Sequence, residues 1–351
     1  MKSSRLSGMS IAFACAFLAP ILCAEVLVYE GFHPEDYGNV ADNGMVTIST
    51  YGPTGNHTIG ITNIAWNGNN TGYVKAYGAN YGLALPAEMT GAGFSSLGGS
   101  IGLNPELSKN RQHRGTIHYL AGDVLKKSSG KFYIRVLLNL DSTAAGSLNP
   151  YSSFLVPSVG IVLPYGAYFG FGFGNGQSLP GTAGTNVNDG YLAPTSMKSA
   201  LSFAIWKNSS SQYVLSLVHT TSSYKNGKTL NDFPIDLPIA HPIITGITLG
   251  KTYVCYAEVN VGAGSDGKEI IRAGAMACDA YEMRPLWAKL DGESETIEVD
   301  LMNDSVYPTC MAVSGPYGTA GGYFRADEVV VGTELGDILA YTPRGLVVAI
   351  K

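Results

Sequence analysis

The residues Lys131-Phe-Tyr-Ile-Arg-Val-Leu-Leu-Asn-Leu140 give the strongest structural signal in this sequence. They combine aromatic and β-branched side chains, which is typical of a strand in a sheet. Similar stretches predict further strands at residues 165–173, 200–206, 213–219, 252–261, 269–275, 295–301 and 328–331. Turn clusters rich in Gly, Asn and Ser separate them, and only residues 115–127 are suited to a helical turn. Strands spaced in this way predict an all-β protein, a two-sheet antiparallel jelly-roll sandwich with long loop insertions.

The composition of the 351 residues restricts the class of protein further. Hydrophobic residues make up 45% of the chain and charged residues 14%, which suits a large core and excludes a disordered chain. The 44 glycines follow no period of three, so a collagen-like structure is excluded as well. The net charge is −5 and there is no block of Lys or Arg, which argues against nucleic acid as a partner.

The first 24 residues have the pattern of a secretory signal peptide. Lys2 and Arg5 provide a positive start, an apolar run extends to Leu22, and the predicted cut follows Ala24. The apolar run of about 14 residues is too short to span a bilayer, which takes roughly 20 residues. We therefore expect a secreted, extracellular or periplasmic protein, with no transmembrane segment after signal cleavage. Loss of the two positive charges takes the net charge from −5 to −7.

The remainder of the chain shows no break in composition that would mark a second domain. We expect one jelly-roll domain over residues 25–341 and a short C-terminal tail over 342–351. Residues 175–198 and 220–242 are rich in turn formers and are predicted to be the long loop insertions. Long loops on a sandwich are usual places for recognition, and they are also tolerated where they have no function.

Three cysteines remain after signal cleavage, Cys255, Cys278 and Cys310. The first two fall in one predicted hairpin around the loop 262–267, which places Cys255 opposite residues 272–276 and not opposite Cys278. That offset exceeds the usual Cα separation of a disulfide. We expect buried free thiols, with a bridge that involves Cys310 as the alternative.

Five short segments carry a resemblance to a known family. They are Leu27-Val-Tyr-Glu-Gly-Phe32, Gly130-Lys-Phe-Tyr-Ile-Arg-Val-Leu-Leu138, Tyr168-Phe-Gly-Phe-Gly-Phe-Gly174, Gly250-Lys-Thr-Tyr-Val-Cys-Tyr-Ala-Glu258 and Phe324-Arg-Ala-Asp-Glu-Val-Val-Val-Gly-Thr333. In this order they resemble the strands of exported bacterial LamG-like (concanavalin A-like) jelly-roll proteins. The resemblance spans nearly the whole mature chain and implies a two-sheet antiparallel jelly roll. That fold is found in lectins, glycan-binding modules, adhesins and some glycoside hydrolases, so it does not fix the function.

Catalytic motifs are weakly represented. Glycosidases with this type of fold place three carboxylates on one strand as Glu-x-Asp-x-(x)-Glu. The nearest match here is Glu298-Val-Asp300-Leu-Met-Asn303, in which Asn303 stands where the third carboxylate would be. The six histidines have no metal-binding spacing, and His113 and His118 are expected to be ordinary surface residues. We expect no catalytic residues, with a glycoside hydrolase-like enzyme as the alternative.

A calcium site is the one cofactor that the sequence suggests. The first and last strands of a jelly roll commonly pair, which would bring Glu30 near Asp327 or Glu328. Carboxylates and backbone carbonyls suit Ca²⁺, which takes six to eight oxygen ligands. The alternative is that Glu30 and Asp327 cap strand ends or accept hydrogen bonds from nearby backbone.

Aromatic residues near loops suggest a ligand-binding site. Trp66 lies in an Asn-rich stretch that ends at Tyr73, and Tyr77 and Tyr81 follow closely. Aromatic faces stack on sugar rings, and Asn side chains offer donors and acceptors to hydroxyls. The alternative is that Trp66 plugs one end of the sandwich and the tyrosines are strand residues. We therefore expect a non-catalytic recognition or surface protein that binds glycans or cell-envelope or extracellular polysaccharide, with a purely structural surface or adhesion component as a further alternative.

Overall fold

Two antiparallel β-sheets make up most of the computed structural model of the protein. The structure describes residues 25–41, 44–47, 52–53, 57–66, 74–91, 98–103, 114–127, 129–141, 168–175, 198–219, 239–280, 296–302, 307–315 and 324–340. The strands in chain order are β1 (Val26–Glu30), β2 (Met45–Thr47), β3 (Thr58–Ile59), β4 (Val74–Tyr77), β5 (Ser100–Leu103), β6 (Arg114–Tyr119), β7 (Gly130–Leu140), β8 (Tyr168–Asn175), β9 (Lys198–Lys207), β10 (Tyr213–His219), β11 (Ile239–Thr245), β12 (Thr252–Val261), β13 (Glu269–Ala277), β14 (Thr296–Val299), β15 (Cys310–Gly315) and β16 (Phe324–Gly332). Two short helices, α1 (Ala87–Gly91) and α2 (Leu335–Ala340), accompany them.

Among the described residues, the larger sheet has ten strands, in the order β14-β13-β12-β7-β16-β5-β4-β2, with β1 paired to both β16 and β3. The smaller sheet has six strands, in the order β11-β10-β9-β8-β15-β6. Apolar side chains of both sheets meet in one large cluster between them, to which the larger sheet contributes Phe132 and Ile134, and the smaller sheet Phe171 and Phe203. These two packed antiparallel layers are the jelly-roll sandwich that the sequence predicts.

Strand β7 has an almost continuous apolar sequence because both of its faces are buried. Ile134 and Val136 face the smaller sheet, while Tyr133 and Leu137 face the other way into a second apolar cluster. Residues 83–89 and α2 cover this outer face, since their side chains belong to the same second cluster. Strands that are buried on both faces lose the polar alternation of a half-exposed sheet.

The first and last strands pair antiparallel, as the sequence predicts. Tyr29 lies opposite Val330, and Glu30 lies opposite Val329. The pairing of β16 with β7 is interrupted between Asp327 and Val330, where Glu328 adopts a φ of +50°. Such a bulge changes the direction of side chains within a strand, and here it determines where the acidic residues of β16 point.

Some regions differ from the sequence prediction. A helical turn was expected within residues 115–127, but residues 114–119 form strand β6 and the turn begins only after it. Residues 239–245 form strand β11, although the loop prediction extends to residue 242. Pro242 fits there because β11 is an edge strand, where a missing backbone N–H costs little.

The cysteines have the predicted arrangement. Cys255 lies opposite Ala275 in the β12–β13 hairpin, and all three cysteines are free. Cys255 and Cys310 are buried, and Cys278 is half-buried.

Several predicted segments lie outside the described residues, among them the signal peptide, the C-terminal tail, and most of both predicted loop insertions. Within the described part of the chain, no helix has the length and apolar character that crossing a membrane requires.

Candidate functional site

The segment that carries Tyr81 is fixed to strand β16. Arg325 and Asp327 alternate on this strand, so their side chains lie on the same face. The Nη1 atom of Arg325 donates a hydrogen bond to the Tyr81 carbonyl oxygen at 2.7 Å, and Oδ2 of Asp327 accepts the backbone N–H of Leu83 at 2.7 Å. The Ser100 hydroxyl donates to the same Tyr81 carbonyl at 2.6 Å. Three hydrogen bonds therefore set the position of residues 81–83.

The four predicted ligand-binding aromatics have different degrees of exposure. Tyr81 is half-buried, and its ring centroid lies 5.4 Å from that of Tyr77. Tyr77 is fully buried and Trp66 is 2% exposed, while Tyr73 lies outside the described residues. Stacking on a sugar needs an accessible ring face, which Tyr77 and Trp66 do not have. Of the predicted aromatics that the structure describes, Tyr81 is therefore the one whose side chain is partly exposed to solvent.

Trp66 is part of the interior at one end of the sandwich. Its indole N–H donates to the Tyr37 hydroxyl at 3.3 Å, and that hydroxyl donates to Oε2 of Glu30 at 2.9 Å. The rings of Phe32 and His118 lie 6.3 and 5.0 Å from the Trp66 ring. This is the arrangement given above as the alternative for Trp66, and it joins Trp66 to Glu30, which the sequence assigned to a different site.

His118 is buried, contrary to the expectation of a surface residue. Its Nε2 atom lies 2.8 Å from the Ile64 carbonyl oxygen, so Nε2 carries the proton that forms this hydrogen bond. Burial lowers the pKa of His118 to about 4. His113 lies outside the described residues.

The three predicted calcium ligands lie on two faces of the larger sheet. Glu30 points toward the space between the sheets, where Oε1 accepts the Phe32 backbone N–H at 2.6 Å and Oε2 accepts the Tyr37 hydroxyl. Its neighbour Tyr29 points to the outer face, as alternation along a strand requires. Asp327 and Glu328 also point to that outer face, among the second apolar cluster. The backbone pairing is as predicted, but the three side chains do not form one oxygen cage.

The two carboxylates on the outer face already have hydrogen-bond donors. Asp327 accepts the backbone N–H groups of Leu83 and Glu328, each at 2.7 Å. Glu328 accepts the Tyr29 hydroxyl at 3.3 Å and the Arg135 guanidinium at 3.3 Å. The backbone hydrogen bonds of Asp327, and that of Glu30 with Phe32, are those given above as the alternative to calcium.

Burial makes these acids weak. It raises the pKa of Glu30 to about 8, even though two donors face the carboxylate. It also raises the pKa of Asp327 well above its ordinary value, and the adjacent Glu328 adds to this. The pKa of the Tyr29 hydroxyl rises for the same two reasons. Burial therefore favours the protonated forms of Glu30, Asp327 and Tyr29.

Histidines that are far apart in the sequence meet beside the turn that follows β1. His33 caps the short 3₁₀ helix Pro34–Tyr37, and His57 precedes strand β3. Because β1 and β3 pair, with Glu30 opposite Thr58, His57 is brought against this turn. The two imidazole rings stack with their centroids 3.9 Å apart.

Two carboxylates complete this histidine cluster, which we define as His33, Glu35, Asp36 and His57. One donor atom from each of His33, Glu35 and His57 lies within 4.8 Å of the others. Oδ1 of Asp36 lies 3.1 Å from Nδ1 of His57, while the other oxygen of Asp36 is buried without a hydrogen-bond partner. The sequence alone does not reveal this cluster, because the two histidines are 24 positions apart. The available signal was His33-Pro-Glu-Asp36, three possible ligands within four residues shortly after a strand.

The possible glycosidase carboxylates have structural contacts. Glu298 is exposed on β14, where it accepts hydrogen bonds from the backbone and hydroxyl of Ser265. The Ser265 hydroxyl lowers the pKa of Glu298, whereas a general acid needs a raised pKa. Glu269, which interacts electrostatically with Asp300, is buried and accepts the backbone N–H of Leu301 at 2.7 Å.

Comparison with known proteins shows likeness at the level of fold. No protein-family model matches the sequence, and no curated protein matches it. Among solved structures, the carbohydrate recognition domain of Emp47p is similar at 10% identity with a TM-score of 0.37, over 87% of this chain and 96% of that one. A mutant of the alginate lyase Aly36B, solved with alginate trisaccharide, is similar at 11% identity with a TM-score of 0.38, over 76% of this chain and 87% of the lyase. A legume lectin-like domain from Entamoeba histolytica has 10% identity and a TM-score of 0.30, over 66% and 82% of the two chains.

The class of protein follows from the strand order and pairing of the chain itself. The protein is an antiparallel two-sheet β-sandwich of the jelly-roll type, and its structural neighbours include lectin-like domains. Neither the fold nor these likenesses define an activity, since one fold supports many functions.

Proposed function

We propose that the protein is an exported, non-catalytic recognition protein that binds glycans of a cell envelope or extracellular polysaccharide. The observation that carries this proposal is the held position of Tyr81. Its side chain is half-buried, its backbone is fixed by Arg325 and Ser100, and its ring lies beside that of buried Tyr77.

A fixed aromatic ring suits sugar recognition. A ring that is already ordered before binding loses little conformational entropy when a sugar stacks on it. The amphipathic Tyr ring offers an apolar face for the C–H groups of a pyranose and a hydroxyl for its polar edge. Asn80 is exposed directly beside Tyr81 and adds a side-chain amide that can both donate and accept.

Asp327 has a positioning role in this proposal, not the metal-binding role first suggested by the sequence. Because Asp327 accepts the N–H of Leu83, it fixes the chain two residues after Tyr81. The strand that was expected to provide calcium ligands thus supports the segment that was expected to bind the glycan.

The test is a screen of residues 25–351 against a broad array of glycans and polysaccharides, with calcium present. A reproducible ligand should lose at least tenfold in affinity with Tyr81→Ala, while the melting temperature stays close to that of the wild type. Tyr307→Ala is the matched control, because Tyr307 is a half-buried tyrosine held at its hydroxyl by Asp123, on the smaller-sheet side. It should bind as the wild type does.

Two results would overturn the proposal. One is an array without any ligand, which would favour a structural surface component and make self-association the next measurement. The other is a ligand whose affinity is the same for Tyr81→Ala and Tyr307→Ala, which would place the binding site elsewhere. Trp66→Ala should instead lower the melting temperature, because Trp66 is buried.

A further inference from the structure

We propose that the histidine cluster binds one first-row transition metal ion, with Zn²⁺ as the best match, through His33, Glu35 and His57. This site lies at the turn after β1 and is independent of the glycan-binding proposal for Tyr81. The proposal rests on the donor atoms, the buried carboxylate behind them, and the backbone that holds them.

The donor set matches zinc better than calcium. Two imidazoles and one carboxylate are ligands that zinc commonly takes, and a fourth position is then open to water or a ligand atom. Calcium takes six to eight oxygen ligands and does not favour imidazole. Two nitrogens bound to one zinc at about 2.0–2.1 Å lie no more than about 4 Å apart. The donor atoms here lie within 4.8 Å of one another. Metal binding requires the stacked rings of His33 and His57 to turn toward a common point, and Nδ1 of His33 to release the Glu35 backbone N–H if it is the ligand atom.

Asp36 gives independent support, because it orients one of the proposed ligands from behind. A carboxylate oxygen can only accept, so the 3.1 Å contact with Oδ1 of Asp36 places the proton of His57 on Nδ1. The lone pair of a neutral His57 is then on Nε2, ready for a metal ion. Metal-binding histidines usually donate their second ring nitrogen to a carboxylate in this way.

The second carboxylate oxygen of Asp36 is buried without a hydrogen-bond donor, and a nearby cation would stabilise it. Asp36 is 1% exposed, and its Oδ2 atom has no hydrogen-bond partner. A buried carboxylate without full hydrogen bonding is costly unless positive charge lies nearby. A divalent ion bound to His57 would supply that charge on the far side of the imidazole ring.

The backbone around the cluster is held in place. The carboxylate of Glu30 accepts the N–H of Phe32 at 2.6 Å and so fixes the turn that carries His33. Strand β3 pairs with β1, with Glu30 opposite Thr58, and this pairing holds His57 beside the turn. Gly60 allows the close approach, because a side chain there would collide with the Leu27 carbonyl.

The experiment is a calorimetric titration of Zn²⁺ into metal-free residues 25–351, with a competing chromophoric chelator to set the affinity. We expect one Zn²⁺ per chain. His33→Gln and His57→Gln should abolish this binding, and Glu35→Gln should weaken it. Asp36→Asn should weaken it by about 10–100-fold, as loss of such an orienting carboxylate does. Glu35 is exposed, so its variant keeps the test valid even if a histidine variant folds poorly.

Controls separate this site from other metal-binding groups of the chain. Glu88→Gln matches Glu35→Gln, because both glutamates are exposed. His241→Gln removes one member of the His219–His241 pair on the smaller sheet, whose Nε2 atoms are 3.1 Å apart. Cys278→Ser removes the half-buried thiol. All three should bind Zn²⁺ as the wild type does.

Three results would overturn the proposal. The first is a wild type that does not bind Zn²⁺. The second is unchanged binding in the His33, Glu35 and His57 variants, and the third is loss of binding in a control.

Discussion

Strand β1 lies beside two polar clusters whose hydrogen bonding differs. On the outer face of the larger sheet, Arg135, Asp327 and Glu328 form a buried network in which the carboxylate oxygens meet N–H or O–H donors. At the turn after β1, the histidine cluster is half-exposed, and one oxygen of Asp36 has no partner. A network whose charges are already compensated serves the fold, whereas a cluster that combines two imidazoles with an uncompensated carboxylate oxygen is suited to an external cation.

The largest expected effect is on stability and comes from the buried network. Arg135→Met should lower the free energy of unfolding by about 3–5 kcal/mol, because it leaves the buried Glu328 carboxylate without its cation. The midpoint of urea unfolding at pH 7 measures this loss. The double variant with Glu328→Gln should recover part of it, since no charge is then stranded.

The matched control for Arg135 is an exposed ion pair. Lys251 and Asp279 lie 2.6 Å apart with both side chains in solvent, so Lys251→Met should leave the midpoint unchanged. An Arg135→Met protein as stable as the Lys251→Met protein would show that the outer-face network is not what holds this part of the fold.

The second effect is a pH dependence that originates at Glu30. A carboxyl group whose pKa rises from 4.5 to about 8 on folding binds more protons in the folded state. It therefore stabilises the fold fully below about pH 4.5, and this contribution, a few kcal/mol at most, is lost as the pH rises toward 8. We expect the free energy of unfolding to fall between pH 6.5 and 8.5, and to fall less steeply in Glu30→Gln.

Other groups can be separated from this effect by the choice of pH range. Burial lowers the pKa values of His118 and His219 to about 4 and about 3, so their contributions change below pH 6.5 and have the opposite sign. Asp327, whose pKa is also raised, is present in both proteins and cancels in the comparison. Parallel curves for the wild type and Glu30→Gln would refute the role of Glu30, and Glu88→Gln should give the wild-type curve.

The smallest stability effect is expected at Asp36. Without metal, Asp36→Asn should change the free energy of unfolding by no more than about 1 kcal/mol, because the amide oxygen can still accept from His57 while a buried charge is removed. Urea unfolding in the presence of a chelator measures this. A loss as large as that of Arg135→Met would show that Asp36 belongs to the structural network and not to a metal site.

Much of the fold could be predicted from the sequence because strand signals are local. Strands β10 and β12 have the predicted bounds, and the β12–β13 register places Cys255 opposite Ala275 as expected. The pairing of β1 with β16 follows from the order of strands in a jelly roll. Strand β11 was missed because Pro242 disfavours a strand everywhere except at an edge.

The sites were harder to predict because they depend on side-chain direction and on tertiary contacts. The Asn-rich sequence around Trp66 left both a ligand-binding and a buried position open, and in the structure its buried indole donates to Tyr37. Glu30 and Glu328 lie on paired strands but point to opposite faces, a difference that strand order alone does not reveal. His33 and His57 meet only because the two-residue strand β3 pairs with β1.

The most direct test of this account is a comparison of Zn²⁺ and Ca²⁺ in thermal unfolding of residues 25–351. We expect Zn²⁺ to raise the melting temperature, a chelator to reverse the rise, and His57→Gln to remove it, because binding to the folded state alone stabilises that state. Ca²⁺ should leave the melting temperature unchanged. A rise with Ca²⁺ that Asp327→Ala abolishes, together with no response to Zn²⁺, would contradict the account and restore the acidic residues of β1 and β16 as the metal site.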